Sequence, residues 1–170
     1  GTRSESIFFE DFESGVFPPE CWFSRQTVKA PSSAGLTSGF DYGDEAWTLG
    51  MATSNYDEIY SGKYSAKLRD SRGGVHTILV TQPIYVDVPT HYDLSLWVYR
   101  DEVYAYPARE HEGLNVWVNN RPDTIGGTKL GFINSIYTMP PVEEAPGFYQ
   151  YEYNIPIAGN VYIIFEGVSG

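Results

Sequence analysis

Tyr92-Asp93-Leu94-Ser95-Leu96-Trp97-Val98-Tyr99 places Leu94, Leu96 and Val98 at every second position, with polar or aromatic residues between them. A strand sends successive side chains to opposite faces, so this spacing gives one apolar face and one mixed face. The pattern recurs down the chain. Leu114, Val116 and Val118 alternate with Asn115, Trp117 and Asn119. Tyr149, Tyr151, Tyr153 and Ile155 alternate with Phe148, Gln150, Glu152 and Asn154, and Val161, Ile163 and Phe165 repeat the period. Each run predicts a half-buried strand of an antiparallel sheet.

Further strands are expected over 7–12, 46–52, 63–69, 75–81 and 84–88. Turn signals separate them: Ser61-Gly62, Arg72-Gly73-Gly74, Gly126-Gly127, and the stretch from Pro140-Pro141 to Gly147. Residues 30–43, rich in Ser, Gly and Pro, read as a long surface loop. No segment sustains a 3.6-residue period between start and stop signals, so little helix is expected. Many short strands with irregular connections predict an all-β fold, a two-sheet antiparallel β-sandwich of jelly-roll type. A chain of 170 residues is most economically one domain over 1–170, with 1–6 a flexible N-terminal segment.

Composition narrows the function. Aromatic residues make up 16% of the chain, a bias that suits a pleated surface. The formal net charge is −11 with no Lys/Arg cluster, so a polyanion is repelled on approach and nucleic acid is excluded as a partner. No apolar run reaches the ~20 residues that span a bilayer, and no membrane insertion is expected. No leader-like segment opens the sequence, so export implies a leader already removed. The single cysteine, Cys21, excludes an internal disulfide and is expected as a small buried hydrophobe beside Trp22.

Two constellations are candidates for binding. In Phe8-Phe9-Glu10-Asp11-Phe12-Glu13-Ser14, strand alternation puts Asp11 and Glu13 on one face and Glu10 on the other. Paired carboxylates ahead of a glycine turn suit a calcium ion, and Glu13 is the first choice as ligand. The ordinary reading is an acidic, solvated strand end. The second candidate is aromatic: Tyr104, Tyr106, Arg109 and His111 fall in a connection longer than a usual hairpin loop, and Trp47 and Tyr60 form a weaker patch. Rings stack on sugar faces and also suit protein contacts; the same tyrosines also serve to cover a sheet edge. Trp97 and Trp117 lie opposite the Leu/Val rows; left bare they would form a stacking platform on one sheet, but they are expected to pack beneath a neighbouring strand's side chains or a covering loop, because a bare aromatic face invites aggregation.

Motifs for catalysis are absent: no G-x-S-x-G, H-E-x-x-H, C-x-x-C or phosphate-cradling loop occurs. The adjacent acids Glu143 and Glu144 lie between Pro141 and Pro146, where a loop places them loosely for glycoside chemistry.

The order of short motifs resembles the MAM-type jelly roll and its bacterial relatives, the cleaved-adhesin domains of gingipains and the choice-of-anchor modules. The series begins with the Phe-Glu-Ser stretch, Trp22 and Trp47. It continues with Gly62-Lys63-Tyr64-Ser65-Ala66-Lys67-Leu68, Leu94 to Tyr99 and Gly113 to Val118, and ends with Val161-Tyr162-Ile163-Ile164-Phe165-Glu166. The likeness covers roughly 8–165. It implies a non-catalytic extracellular module for adhesion or glycan and protein contact, often with a structural Ca2+ near the N-terminal strand. It also sets the turn at 60–65, ending at Ser65, beside that strand as a source of carbonyl ligands. Family members end in a further strand with an Ile-Asp-Asp or Ile-Asp-Asn motif; the sequence ends at Gly167-Val168-Ser169-Gly170, so either the remainder of that strand lies beyond it or the likeness fails there, and the metal site lacks one expected acidic ligand.

The expectation is therefore a secreted or surface-anchored bacterial module. Its partners would be an extracellular glycan or a host or cell-surface protein, and other domains of a longer chain. A structural spacer without a ligand and a glycoside-acting enzyme are the rival readings.

Overall fold

The computed structural model describes residues 6–28, 47–52, 59–68, 75–101 and 112–169. Among the described residues there are ten strands and no helix: β1 Phe23–Val28, β2 Thr48–Met51, β3 Tyr64–Lys67, β4 Val75–Val80, β5 Ile84–Val86, β6 Asp93–Arg100, β7 Gly113–Asn119, β8 Thr128–Asn134, β9 Gly147–Asn154 and β10 Gly159–Ser169. Every pairing is antiparallel. The all-β sandwich expected from the alternation is the fold observed.

The main sheet runs β1-β4-β10-β7-β8, with β5 also paired to β10. Apart from β7-β8, its neighbours are not consecutive in sequence, so the chain crosses over between pairings. The long strand β10 is the axis, bonded to β4 and β5 along one edge and to β7 along the other. Two ribbons, β2-β3 and β6-β9, complete the architecture.

Leu94 and Tyr92 come from the β6 side to pack on Val86, Val118, Ile155, Val161 and Ile163, the principal core cluster. Burying an aliphatic side chain of this kind stabilises by about 2 kcal/mol, against the entropy of ordering it. Leu68, just after β3, and the Trp47 indole lie over Gly167 of β10 and bring the other ribbon onto the same strand. A second cluster, Ile78, Val80 and Ile164, packs with Phe23, Trp117 and Tyr162.

Three expectations are corrected. Residues 7–12 form no strand. The backbone N–H of Phe12 donates to Glu10 Oε1 at 2.5 Å and that of Glu13 to Asp11 Oδ1 at 3.0 Å, while Phe12 takes φ 64°. Side-chain acceptors thus turn the backbone before a ladder forms. Cys21 is exposed with φ 67°. The interior places nearby belong to Phe8, Phe12, Phe17 and Trp22, whose rings are 5.7 to 6.1 Å apart in successive pairs. The third correction is an addition: β1 and β8 are strands the alternation did not announce. The surface loop expected at 30–43, the Arg72-Gly73-Gly74 turn and most of the flexible segment at 1–6 lie outside the described residues.

Candidate functional site

The two-stranded ribbon β6-β9 has the two faces its period of two requires. Leu94, Leu96 and Val98 are half-buried and Arg100 fully buried on the inner row, opposite Tyr153, Tyr151 and Tyr149 in register. The outer row pairs Asp93 with Asn154, Ser95 with Glu152, Trp97 with Gln150 and Tyr99 with Phe148.

Trp97 is covered only in part, and by a ring from a turn. It remains 43% exposed, and the Tyr60 ring lies over it, centroids 4.1 Å apart and planes 17° from parallel. Tyr60 is itself 50% exposed and reaches Phe148 at 5.5 Å, while Phe148 meets Tyr99 at 5.0 Å. Tyr60 belongs to the turn before β3, so one ring joins the two ribbons across their outer side. Even with both ring contacts, half of Tyr60 remains accessible to solvent. Beyond the rings, Gln150 Nε2 donates to Ser95 Oγ at 2.6 Å, and Asn154 Nδ2 donates to Asp93 Oδ1 at 2.8 Å. Glu152 is exposed and carries no hydrogen-bonded or ionic partner among the described residues. The face therefore combines flat aromatic area with a row of hydroxyl, amide and carboxylate groups.

Trp117, paired with Trp97 in the sequence reading, behaves differently. It is half-buried, and its Nε1–H donates to Glu166 Oε1 at 3.2 Å. The same oxygen accepts from Asn115 Nδ2 at 2.8 Å, and Glu166 Oε2 lies 3.4 Å from His76 Nδ1. Glu166 is only 8% exposed. It thus stitches β4, β10 and β7 together through side chains, and nothing in the alternation singled it out beyond an acid in an otherwise apolar row.

Trp47 is turned inward: its Nε1–H donates to the Thr77 carbonyl at 3.1 Å and its backbone N–H to Ser24 Oγ at 3.2 Å. Tyr104, Tyr106, Arg109 and His111 lie outside the described residues. Glu143 accepts from the Tyr151 hydroxyl at 3.1 Å, which ties it to the Arg100 network, and Glu144 is exposed. The two adjacent acids therefore do not face one another across a cleft.

The turn at 60–65 does meet Glu13, but through N–H groups in place of the expected carbonyls. Lys63 N and Tyr64 N donate to Glu13 Oε1 at 2.9 and 3.1 Å. Asp11 spends one oxygen on the Glu13 amide. Ser65 sits in β3 opposite Gly50. No group of three or more His, Cys, Asp or Glu converges on a metal position among the described residues. At this corner Glu13 Oε1 is met by two amide donors, where the expected calcium set would have placed carbonyl oxygens.

No protein-family model matches the chain, and no curated protein sequence matches it. Among solved structures, a cleaved adhesin domain of Lys-gingipain from Porphyromonas gingivalis W83 is similar at 16% identity over 94% of this chain and 86% of that one, with a TM-score of 0.49. The functional reading therefore rests on the residues of the site.

Proposed function

We propose that this chain is a non-catalytic recognition module of a secreted or surface protein, and that it contacts an extracellular target through the outer face of β6 and β9. The observation carrying this reading is the Tyr60–Trp97 stack, two large rings left about half exposed on the outer side of the β6-β9 ribbon. Exposed aromatic area of this kind is unfavourable in water and marks contact surfaces. Its setting adds hydrogen-bonding groups in fixed register, which supply orientation. The extracellular setting is what the resemblance carried by the motif order implies.

The test is adhesion of the purified chain to fixed epithelial cells and to wells coated with fibrinogen, fibronectin or collagen. Saturable binding that falls in a folded Trp97→Ala variant supports the reading. Binding indifferent to Trp97 and Tyr60, or no saturable binding to any of these surfaces, overturns it.

A further inference from the structure

We infer that the ligand of this face is a neutral oligosaccharide, one without sulfate, phosphate or carboxylate groups; this rests on the face being the contact surface proposed above. Stacked rings accept three kinds of flat partner: nucleobases, cationic groups and the apolar faces of sugars. Charge and hydrogen-bonding chemistry separate them.

Nucleic acid and anionic glycans are disfavoured by the face itself. Its eight paired positions hold two carboxylates, Asp93 and Glu152, and no cationic residue. The chain as a whole carries −11, so long-range and local fields act in the same sense. A cation-binding cage would close several rings around one point, whereas here the ring contacts run in a chain from Trp97 through Tyr60 and Phe148 to Tyr99, the first pair nearly parallel and the next two tilted at 58° and 52°. The nearly parallel pair suits the flat apolar side of a pyranose.

The polar row supplies what a sugar needs next. Glu152 has both oxygens available as acceptors, and a carboxylate takes two neighbouring hydroxyl donors at once. Ser95 and Gln150 are already bonded to each other at 2.6 Å, which fixes the amide and leaves the Ser95 hydroxyl proton and the Gln150 carbonyl oxygen outside that bond. From Trp97 to Asp93 the strand advances about 13 Å at the usual rise per residue, room for a short oligosaccharide along the strand. The two features lie end to end: stacking at Tyr60 and Trp97, hydroxyl recognition from Ser95 to Asp93.

The experiment is a glycan array probed with the full chain, carrying neutral gluco-, xylo-, manno- and galacto-oligosaccharides beside their sulfated and sialylated counterparts. Hits are measured by titration calorimetry and by tryptophan fluorescence. Neutral glycans are expected to bind, with affinity reduced roughly tenfold or more in Tyr60→Ala and Trp97→Ala. Tyr60→Phe, which keeps the ring, is expected to bind nearly as wild type, so loss in Tyr60→Ala reads stacking and not folding. Glu152→Gln is expected to weaken neutral binding and to narrow the gap to sulfated glycans. Preference for anionic glycans, binding insensitive to both aromatic variants, or no binding to any neutral glycan overturns the inference. If cell or matrix adhesion is lost in Trp97→Ala but persists in excess neutral oligosaccharide, the contact face stands and its ligand is not a sugar.

Discussion

Arg100 Nε donates to the carbonyl of Asn134 at 2.7 Å, joining β6 of one layer to β8 of the other. The guanidinium is 1% exposed and its remaining donors are all used. Nη2 reaches the Ile136 and Met139 carbonyls at 2.7 and 2.8 Å, and Nη1 reaches the Pro141 carbonyl and, at 2.9 Å, the Tyr151 hydroxyl. A planar fork with five donors thus gathers a whole connecting segment onto the end of β6. Lysine has fewer donors and no fork. Arg100→Lys is expected to destabilise by about 3 kcal/mol, since several buried carbonyls lose partners at once. Chemical denaturation measures it; a loss below about 1 kcal/mol would show that the segment holds without the clamp.

At the opposite corner Glu13 braces the turn before β3. Its Oε1 accepts from two successive amides, and Gly62 approaches so closely that a Cβ there would lie 2.2 Å from that oxygen. Gly62 also has φ 71°, a conformation costing other residues about 1 to 2 kcal/mol. Gly62→Ala should therefore lower the melting midpoint by both routes, and Glu13→Ala should cost about 2 kcal/mol by leaving two amides without their charged acceptor. A structural calcium makes a different prediction for the same residue. A metal that binds only the folded state raises the midpoint, so chelation would lower it. The bracing geometry predicts a midpoint unmoved by chelator. A clear drop, reversed by added Ca2+, would restore the ion to this corner.

What the sequence disclosed, and what it hid, has a physical pattern. Strands buried on one face announce themselves, and β6, β7, β9 and β10 stand where their apolar rows placed them. β8 breaks its own alternation, with Phe132 and Ile133 adjacent and a register shift opposite Val116 and Trp117, so only pairing to β7 reveals it. β1 carries few apolar residues and is made a strand by β4. Alternation also assigns a face without saying what covers it, which is why Trp97 and Trp117 looked alike and are not. Arg100 and Glu166 did leave a signal: each continues a row of inward apolar residues, and a charge in such a row must find partners. The Tyr60–Trp97 contact left none, because it joins positions 37 residues apart through a turn.

The inner tyrosines of β9 predict alkaline sensitivity. Burial pushes the Tyr153 hydroxyl above the ordinary tyrosine range. It does the same for Tyr151, where Arg100 partly offsets it and Glu143 adds to it. A raised folded-state value means that the folded chain holds the proton more tightly. The associated stability is fully present below the unfolded value, near pH 10, and is lost as pH rises through the folded one. Stability should therefore fall above about pH 10, and Tyr153→Phe should flatten that fall without a large loss at neutral pH. The ring itself has to stay, since it lies over Gly131, where a Cβ would sit 2.5 Å from it. Gly131→Ala should destabilise at every pH. An identical alkaline profile in Tyr153→Phe would remove this tyrosine from the account.

The Tyr60–Trp97 pair separates fold from function in one set of measurements. Because both rings are about half exposed, their stacking is a surface interaction worth about 0.5 to 1.5 kcal/mol. Tyr60→Ala should lower stability by about that amount, and Trp97→Ala by somewhat more through lost contact with the sheet. A double-mutant cycle should return a coupling of about 1 kcal/mol, while the distant pair Tyr60 and Tyr153 should add independently. Trp97 is the tryptophan most directly covered by Tyr60, so Tyr60→Ala should also increase quenching of tryptophan emission by acrylamide. If stability falls by more than about 3 kcal/mol in Tyr60→Ala, the ring is a structural bridge between the ribbons beyond what its exposure implies. Zero coupling would mean that the two rings do not stack in solution, and the contact face would lose its centre.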